Sequence, residues 1–124
     1  LSYYCATKFA IAGFTESLAA ELRLLGIRAT LAELGPFATD FTASMTFNMP
    51  GPHYDMAALT QRAGNAGWSA GADSEQGALA LLKALDDEDP PVRLLLGSEG
   101  IETVELHDAR RAEERAKWID LGRM

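Results

Sequence analysis

Tyr4 and Lys8 are four residues apart, a spacing that can do chemistry. On a helix, residues i and i+4 share a face and lie about 6 Å apart along the axis. A free phenol has a pKa near 10, too high for ready proton exchange at neutral pH. A neighbouring ammonium favours the phenolate. Such a pair can give a proton to, or take one from, an alcohol or carbonyl oxygen. The ammonium has further donors, enough to hold vicinal hydroxyl groups as well. The plainer account is a Tyr and a Lys that merely share an exposed helix face, so the surrounding residues have to decide.

The elements around the pair are legible. Residues 4–25 are expected to form a long helix, with Ile11, Phe14, Leu18, Leu22 and Leu25 making an apolar stripe. Ala6, Ala10, Gly13 and Ser17 make a second stripe of small residues. Gly26 supplies the left-handed stop, and Ile27 follows as its apolar partner. Residues 27–34 read as a strand that Gly35-Pro36 ends. A long irregular stretch, 37–72, follows. It is rich in Met, Phe, Gly and Pro and holds a possible short helix over 52–66. Asp73 and Gln76 have capping-box spacing and open a helix carrying Ala78, Leu79, Leu82 and Leu85. The acidic run 86–89 and Pro90-Pro91 end that helix, and the run reads as a solvated helix end rather than a metal site. Residues 92–96 read as a short buried strand. Ser98 is the expected cap of a last helix, to about residue 121, with Ile101, Val104 and Trp118 on its apolar side.

Helix, strand, long loop, helix, strand, helix implies an α/β fold with a parallel sheet. Two strands leave open edges and an uncovered face, so the pattern asks for further strands. The chain begins at Leu1 rather than Met and reaches its chemistry at once, so residues 1–124 are expected to be one partial domain.

The neighbourhood of Tyr4 resembles the active-site helix of short-chain dehydrogenases/reductases. The stretch Tyr-Cys-Ala-Thr-Lys-Phe-Ala-Ile-Ala-Gly-Phe-Thr-Glu-Ser-Leu-Ala-Ala-Glu-Leu, from Tyr4 to Leu22, places Ala6, Phe9, Ala10, Gly13, Leu18 and Glu21 where that family has such residues. Glu33-Leu34-Gly35-Pro36-Phe37-Ala38-Thr39-Asp40-Phe41 then resembles its Pro-Gly-x-x-x-Thr segment. Residues 90–97 are more loosely similar to the last strand of one branch. The resemblance implies the C-terminal portion of a Rossmann-like, doubly wound parallel sheet, with the N-terminal half absent. It implies Tyr4 as general acid/base and Lys8 as its charged, ribose-binding partner. It implies that the backbone at Leu34, Gly35 and Phe37, with the Thr39 hydroxyl, holds the nicotinamide end of NAD or NADP. Leu34 stands where the family usually has Pro.

The resemblance also makes 37–72 a substrate lid, with Phe41, Met45, Phe47 and Met49 as expected substrate contacts. Adaptable Met and Phe suit a small, largely apolar alcohol or carbonyl compound, although they could equally just pack the loop. The glycine-rich dinucleotide fingerprint, the Asn-rich strand end and the catalytic Ser of the family are not in these residues, and no G-x-G-x-x-G occurs. The expected function is an NAD(P)-dependent oxidoreductase of the short-chain dehydrogenase type, inactive as these 124 residues alone. The rival is a non-catalytic remnant that acts only by association with another chain. The small-residue stripe would suit such association, and that helix lines a dimer interface in many members of the resembled family. A homo-oligomer is expected for the same reason.

Composition bounds the rest. A net charge of −7 argues against nucleic acid and anionic membrane as partners. No apolar run approaches the ~20 residues that span a bilayer. Cys5 is the single cysteine, which fits a cytoplasmic setting; it is expected to be a buried filler. His53 and His107 lack partners at metal-ligand spacing, so no metal site is expected.

Overall fold

In a computed structural model, residues 2–40, 51, 53, 55 and 71–124 are described. The elements run α1 (Ser2–Arg23), β1 (Leu31–Leu34), α2 (Ser74–Leu85), β2 (Arg93–Leu96) and α3 (Ser98–Gly122). The two strands are parallel, in the register Leu31 to Arg93 through Leu34 to Leu96. The α/β class and the parallel pairing are those the alternation of strands and helices implied.

The end of α1 follows from Gly26. Its φ of +72° is the left-handed turn that a Cβ opposes. The Gly26 amide then donates to the Arg23 carbonyl at 3.2 Å and the Ile27 amide to the Leu22 carbonyl at 3.1 Å. This pair of bonds is a Schellman motif, which satisfies the last carbonyls of the helix. At the start of α2, Asp73 accepts from the Glu75 amide at 2.8 Å and the Gln76 amide at 3.4 Å.

Four expectations need correction. The first strand begins at Leu31, not at residue 27, because pairing starts only where the Leu31 amide meets the Val92 carbonyl at 2.8 Å. The second begins at Arg93, and only its last residue, Leu96, is buried. Ser98 does not cap α3. The cap is Gly97, at φ +91° and without a side-chain bond, since the chain turns there through a conformation open to glycine. Cys5 is exposed, because it lies on the early turns of α1, all of whose residues from Ser2 to Ile11 are open.

The core is small. Among the described residues only Ala19 and Leu96 are buried apolar residues. Much of the α1 stripe is uncovered, with Ile11 at 52% and Phe14 at 66% exposure. Ion pairs tie the elements. Arg93 on β2 makes a two-pronged contact with Glu33 on β1 and reaches Glu16 on α1 at 3.1 Å. Hydrogen bonding to Glu33 is the main reason that the Arg93 pKa is raised above its ordinary value. Asp89 accepts from Arg23 at 3.1 Å and Arg28 at 3.3 Å. The acidic run before Pro90 is exposed, as expected of a solvated helix end, and one of its carboxylates also pairs with α1 and the chain after it.

These pairs also fix direction. Moving back along α1 from Arg23 to Glu16 corresponds to moving forward from Asp89 to Arg93. The helix thus runs antiparallel to the strands, with its first turns toward their carboxyl ends.

Candidate functional site at the carboxyl end of the sheet

Two of the expected site residues meet directly. The Lys8 ammonium nitrogen lies 5.5 Å from the centre of the Tyr4 ring, within cation–π range. Tyr4 is 49% exposed and Lys8 is exposed, so both polar ends are open to a ligand. The Thr7 hydroxyl donates to the Tyr4 carbonyl at 2.8 Å, a local bond that leaves the phenol hydroxyl uncommitted.

Leu34, Gly35, Phe37 and Thr39 lie where the chain leaves β1. The direction of α1 puts Tyr4 and Lys8 at this same end. Glu16 is level with Arg93 through their ion pair. Lys8 is eight residues back along the helix, about 12 Å, and Tyr4 about 18 Å. The strands end three residues past Arg93, about 10 Å on. Both groups therefore sit at or just beyond the carboxyl ends of the strands, the region where open parallel sheets bind ligands.

The segment after β1 is held tightly. The Gly35 amide donates to the Leu96 carbonyl at 2.8 Å. Gly35 also passes so close to Gly100 that a methyl group on it would stand 2.9 Å from the Gly100 backbone. Phe37 pairs with Ala72 in a single parallel bridge, with the Ala72 amide donating to Pro36 at 2.8 Å and the Ala38 amide to Ala72 at 3.0 Å. The two ends of the 37–72 stretch are thus clasped together. Leu34 is 66% exposed, and Ala38, Thr39 and Asp40 are exposed.

Phe41, Met45, Phe47 and Met49, with the possible helix over 52–66, lie outside the described residues apart from two single positions, 53 and 55, in the latter stretch. Among the described residues, no group of His, Cys, Asp and Glu could hold a metal, and no helix is long and apolar enough to cross a membrane. The sequence reading missed the two carboxylate–arginine clusters. Their partners are 60 to 77 residues apart in the chain, and no local pattern marks them.

Residues 1–49 match the sequence model of the family described as short chain dehydrogenase. The chain is similar to Oxidoreductase BOA17 of Botryotinia fuckeliana (strain B05.10), at 31% identity over 98% of this chain and 45% of that protein. It is also similar to the crystal structure of a short-chain dehydrogenase from Streptomyces avermitilis, with a TM-score of 0.83 and 31% identity over 98% of this chain and 45% of that one. The chain spans about half the length of the relatives it matches.

Proposed function

Because the chain belongs to the short-chain dehydrogenase/reductase family, we propose that its full-length gene product is an NAD(P)-dependent oxidoreductase acting on a small, apolar alcohol or ketone. The observation that carries this reading is the pairing of Tyr4 with Lys8 on a helix whose first turns point to the same sheet end as the 34–39 segment. The open polar ends of Tyr4 and Lys8, beside the exposed residues 38–40, suit the nicotinamide–ribose end of a dinucleotide.

When bound, the dinucleotide supplies or accepts the hydride at the substrate carbon. Tyr4 manages the other half of the balance. In reduction its hydroxyl gives a proton to the substrate oxygen, and in oxidation the phenolate takes one. Lys8 keeps a positive charge beside the ring and donates to ribose hydroxyls. The backbone at Leu34, Gly35 and Phe37, with the Thr39 hydroxyl, orients the nicotinamide. This reading assigns Phe41, Met45, Phe47 and Met49 to the substrate and residues 37–72 to its lid, within one partial Rossmann-like domain, 1–124. The lone Cys5 supports a cytoplasmic setting, and the small-residue face of α1 supports a homo-oligomer of the full-length protein.

Tyr4→Phe in the full-length gene product tests the reading. The change removes the proton donor and keeps the ring. Turnover should fall by at least about 10²–10⁴-fold, and near-normal turnover would remove Tyr4 from the mechanism. The uncovered apolar stripe of α1 favours a second reading, a remnant that works only through association. The coding sequence around Leu1 separates the two. An in-frame upstream stretch with a Gly-rich turn, and a Ser a dozen or so residues before Tyr4, supports the enzyme.

A further inference from the structure

We propose that Phe37 is a positioning residue for the cofactor segment: its ring is a wedge, set between Gly77 of α2 and Gly97 before α3, that fixes residues 35–39 against the end of the sheet. The proposal rests on the oxidoreductase reading above, because it assigns how that segment is held. The ring lies flush on the backbone of α2. A methyl group at Gly77 would stand 2.8 Å from the Phe37 Cζ, with other ring atoms nearby. On the other side, a methyl group at Gly97 would stand 3.6 Å from the ring Cε2, an ordinary contact. The same short stretch of backbone is gripped at Gly35, by the Leu96 carbonyl and the close Gly100 backbone, and at Pro36 and Ala38, by Ala72. Gly71, at φ +75°, approaches the Phe37 carbonyl so closely that any side chain there would strike it.

Among these ties Phe37 supplies the one large side chain. Its ring faces the body of the protein, so its contribution to a ligand is made through the backbone it pins. Next to it, Ala38, Thr39 and Asp40 are exposed. An inward anchor followed at once by outward residues is an arrangement that sets where Thr39 stands. Without the ring, the hydrogen bonds at 36 and 38 remain, but the notch between α2 and α3 empties and the segment can shift. A shift of about 1 Å at a positioning group is enough to cost about 10²-fold in rate.

The test uses the full-length gene product with Phe37→Ala, the milder Phe37→Leu, Gly77→Ala, and the double variant Phe37→Leu/Gly77→Ala. Affinities for NAD, NADP and ADP-ribose, which lacks nicotinamide, are measured by titration well below each variant's melting temperature. Phe37→Ala should weaken the preferred dinucleotide by about tenfold or more and leave ADP-ribose unchanged. Gly77→Ala should do the same by displacing the ring, and adding Phe37→Leu to it should recover part of the loss. Equal weakening of dinucleotide and ADP-ribose would mean a general structural role and overturn the proposal. So would unchanged affinity for both, or losses that simply add in the double variant. If Phe37→Ala does not fold, Phe37→Leu carries the same comparison. Thr39→Val and Tyr4→Phe run alongside: if they impair the enzyme and Phe37 variants do not, only the wedge fails. A wild-type protein that binds neither dinucleotide sinks both readings.

Discussion

A methionine at position 8 would keep most of the length of the lysine stem and remove its charge. The Lys8 nitrogen is 5.5 Å from the Tyr4 ring centre, and its donors are exposed. Two functions should therefore be lost together in Lys8→Met of the full-length gene product. Turnover should fall by about 10²-fold or more, since Tyr4, the proposed proton-transfer group, loses its charged neighbour. The KM for the proposed dinucleotide should rise, since the donors proposed for its ribose disappear. Steady-state kinetics with varied cofactor reads both, and a variant with wild-type kcat and KM would leave the Tyr4–Lys8 contact a surface pairing. At this scale the sequence was a good guide. A helix fixes the geometry of i and i+4 locally, so the contact could be expected from spacing alone. Cys5 shows the opposite case. Its burial depended on what covers the early turns of α1, and no local pattern carries that.

The elements meet the site through their ends, and one close meeting of backbone with backbone is Gly35 against Gly100. A methyl on Gly35 would be 2.9 Å from the Cα and N of Gly100, and one on Gly100 would be 2.7 Å from the Cα of Gly35. Backbone cannot rotate away as a side chain can. Gly35→Ala should therefore push α3 off the end of β1 and destabilise the full-length protein by about 1–3 kcal/mol, the usual cost of overpacking. Chemical denaturation of the two proteins measures it; equal midpoints and slopes would show that the ends have room to part. Such close approaches explain which element ends could be read. The Gly26 stop and the Asp73 cap depend on residues within a turn of themselves and were legible. The start of α3 was not. Ser98 has a good capping side chain, but the cap falls on Gly97, whose positive φ and neighbours Gly35 and Phe37 are set by the fold. Strand limits are not legible in the sequence for a similar reason. Residues 27–30 have strand-like composition, yet a strand lasts only as long as its partner, and β2 pairs with four residues.

At the scale of the whole molecule, the described residues carry more apolar surface than their two-stranded sheet hides. Among the described residues Ala19 and Leu96 are the buried apolar ones, while Ile11, Phe14, Leu25 and Trp118 are each more than half exposed. A domain is stable when burial outweighs chain entropy, and the described residues bury little apolar side chain to set against that entropy. Ligand binding should suffer equally. A dinucleotide is held mainly by its pyrophosphate, at a helix N-terminus behind a Gly-rich turn, and by a residue at the adenosine ribose. The sequence contains no G-x-G-x-x-G, and the proposed roles of Tyr4, Lys8 and Thr39 concern only the nicotinamide end. Residues 1–124 expressed alone should therefore show no dehydrogenase activity and little affinity for NAD or NADP. They should also self-associate through the open sheet and the α1 stripe, and melt broadly rather than in one cooperative step. Calorimetric titration with both dinucleotides, a thermal melt and a sedimentation run test this together. Micromolar binding of either dinucleotide by a monomer with a sharp melt would show that these residues make a self-sufficient body, and that the apolar face of α1 needs no covering partner.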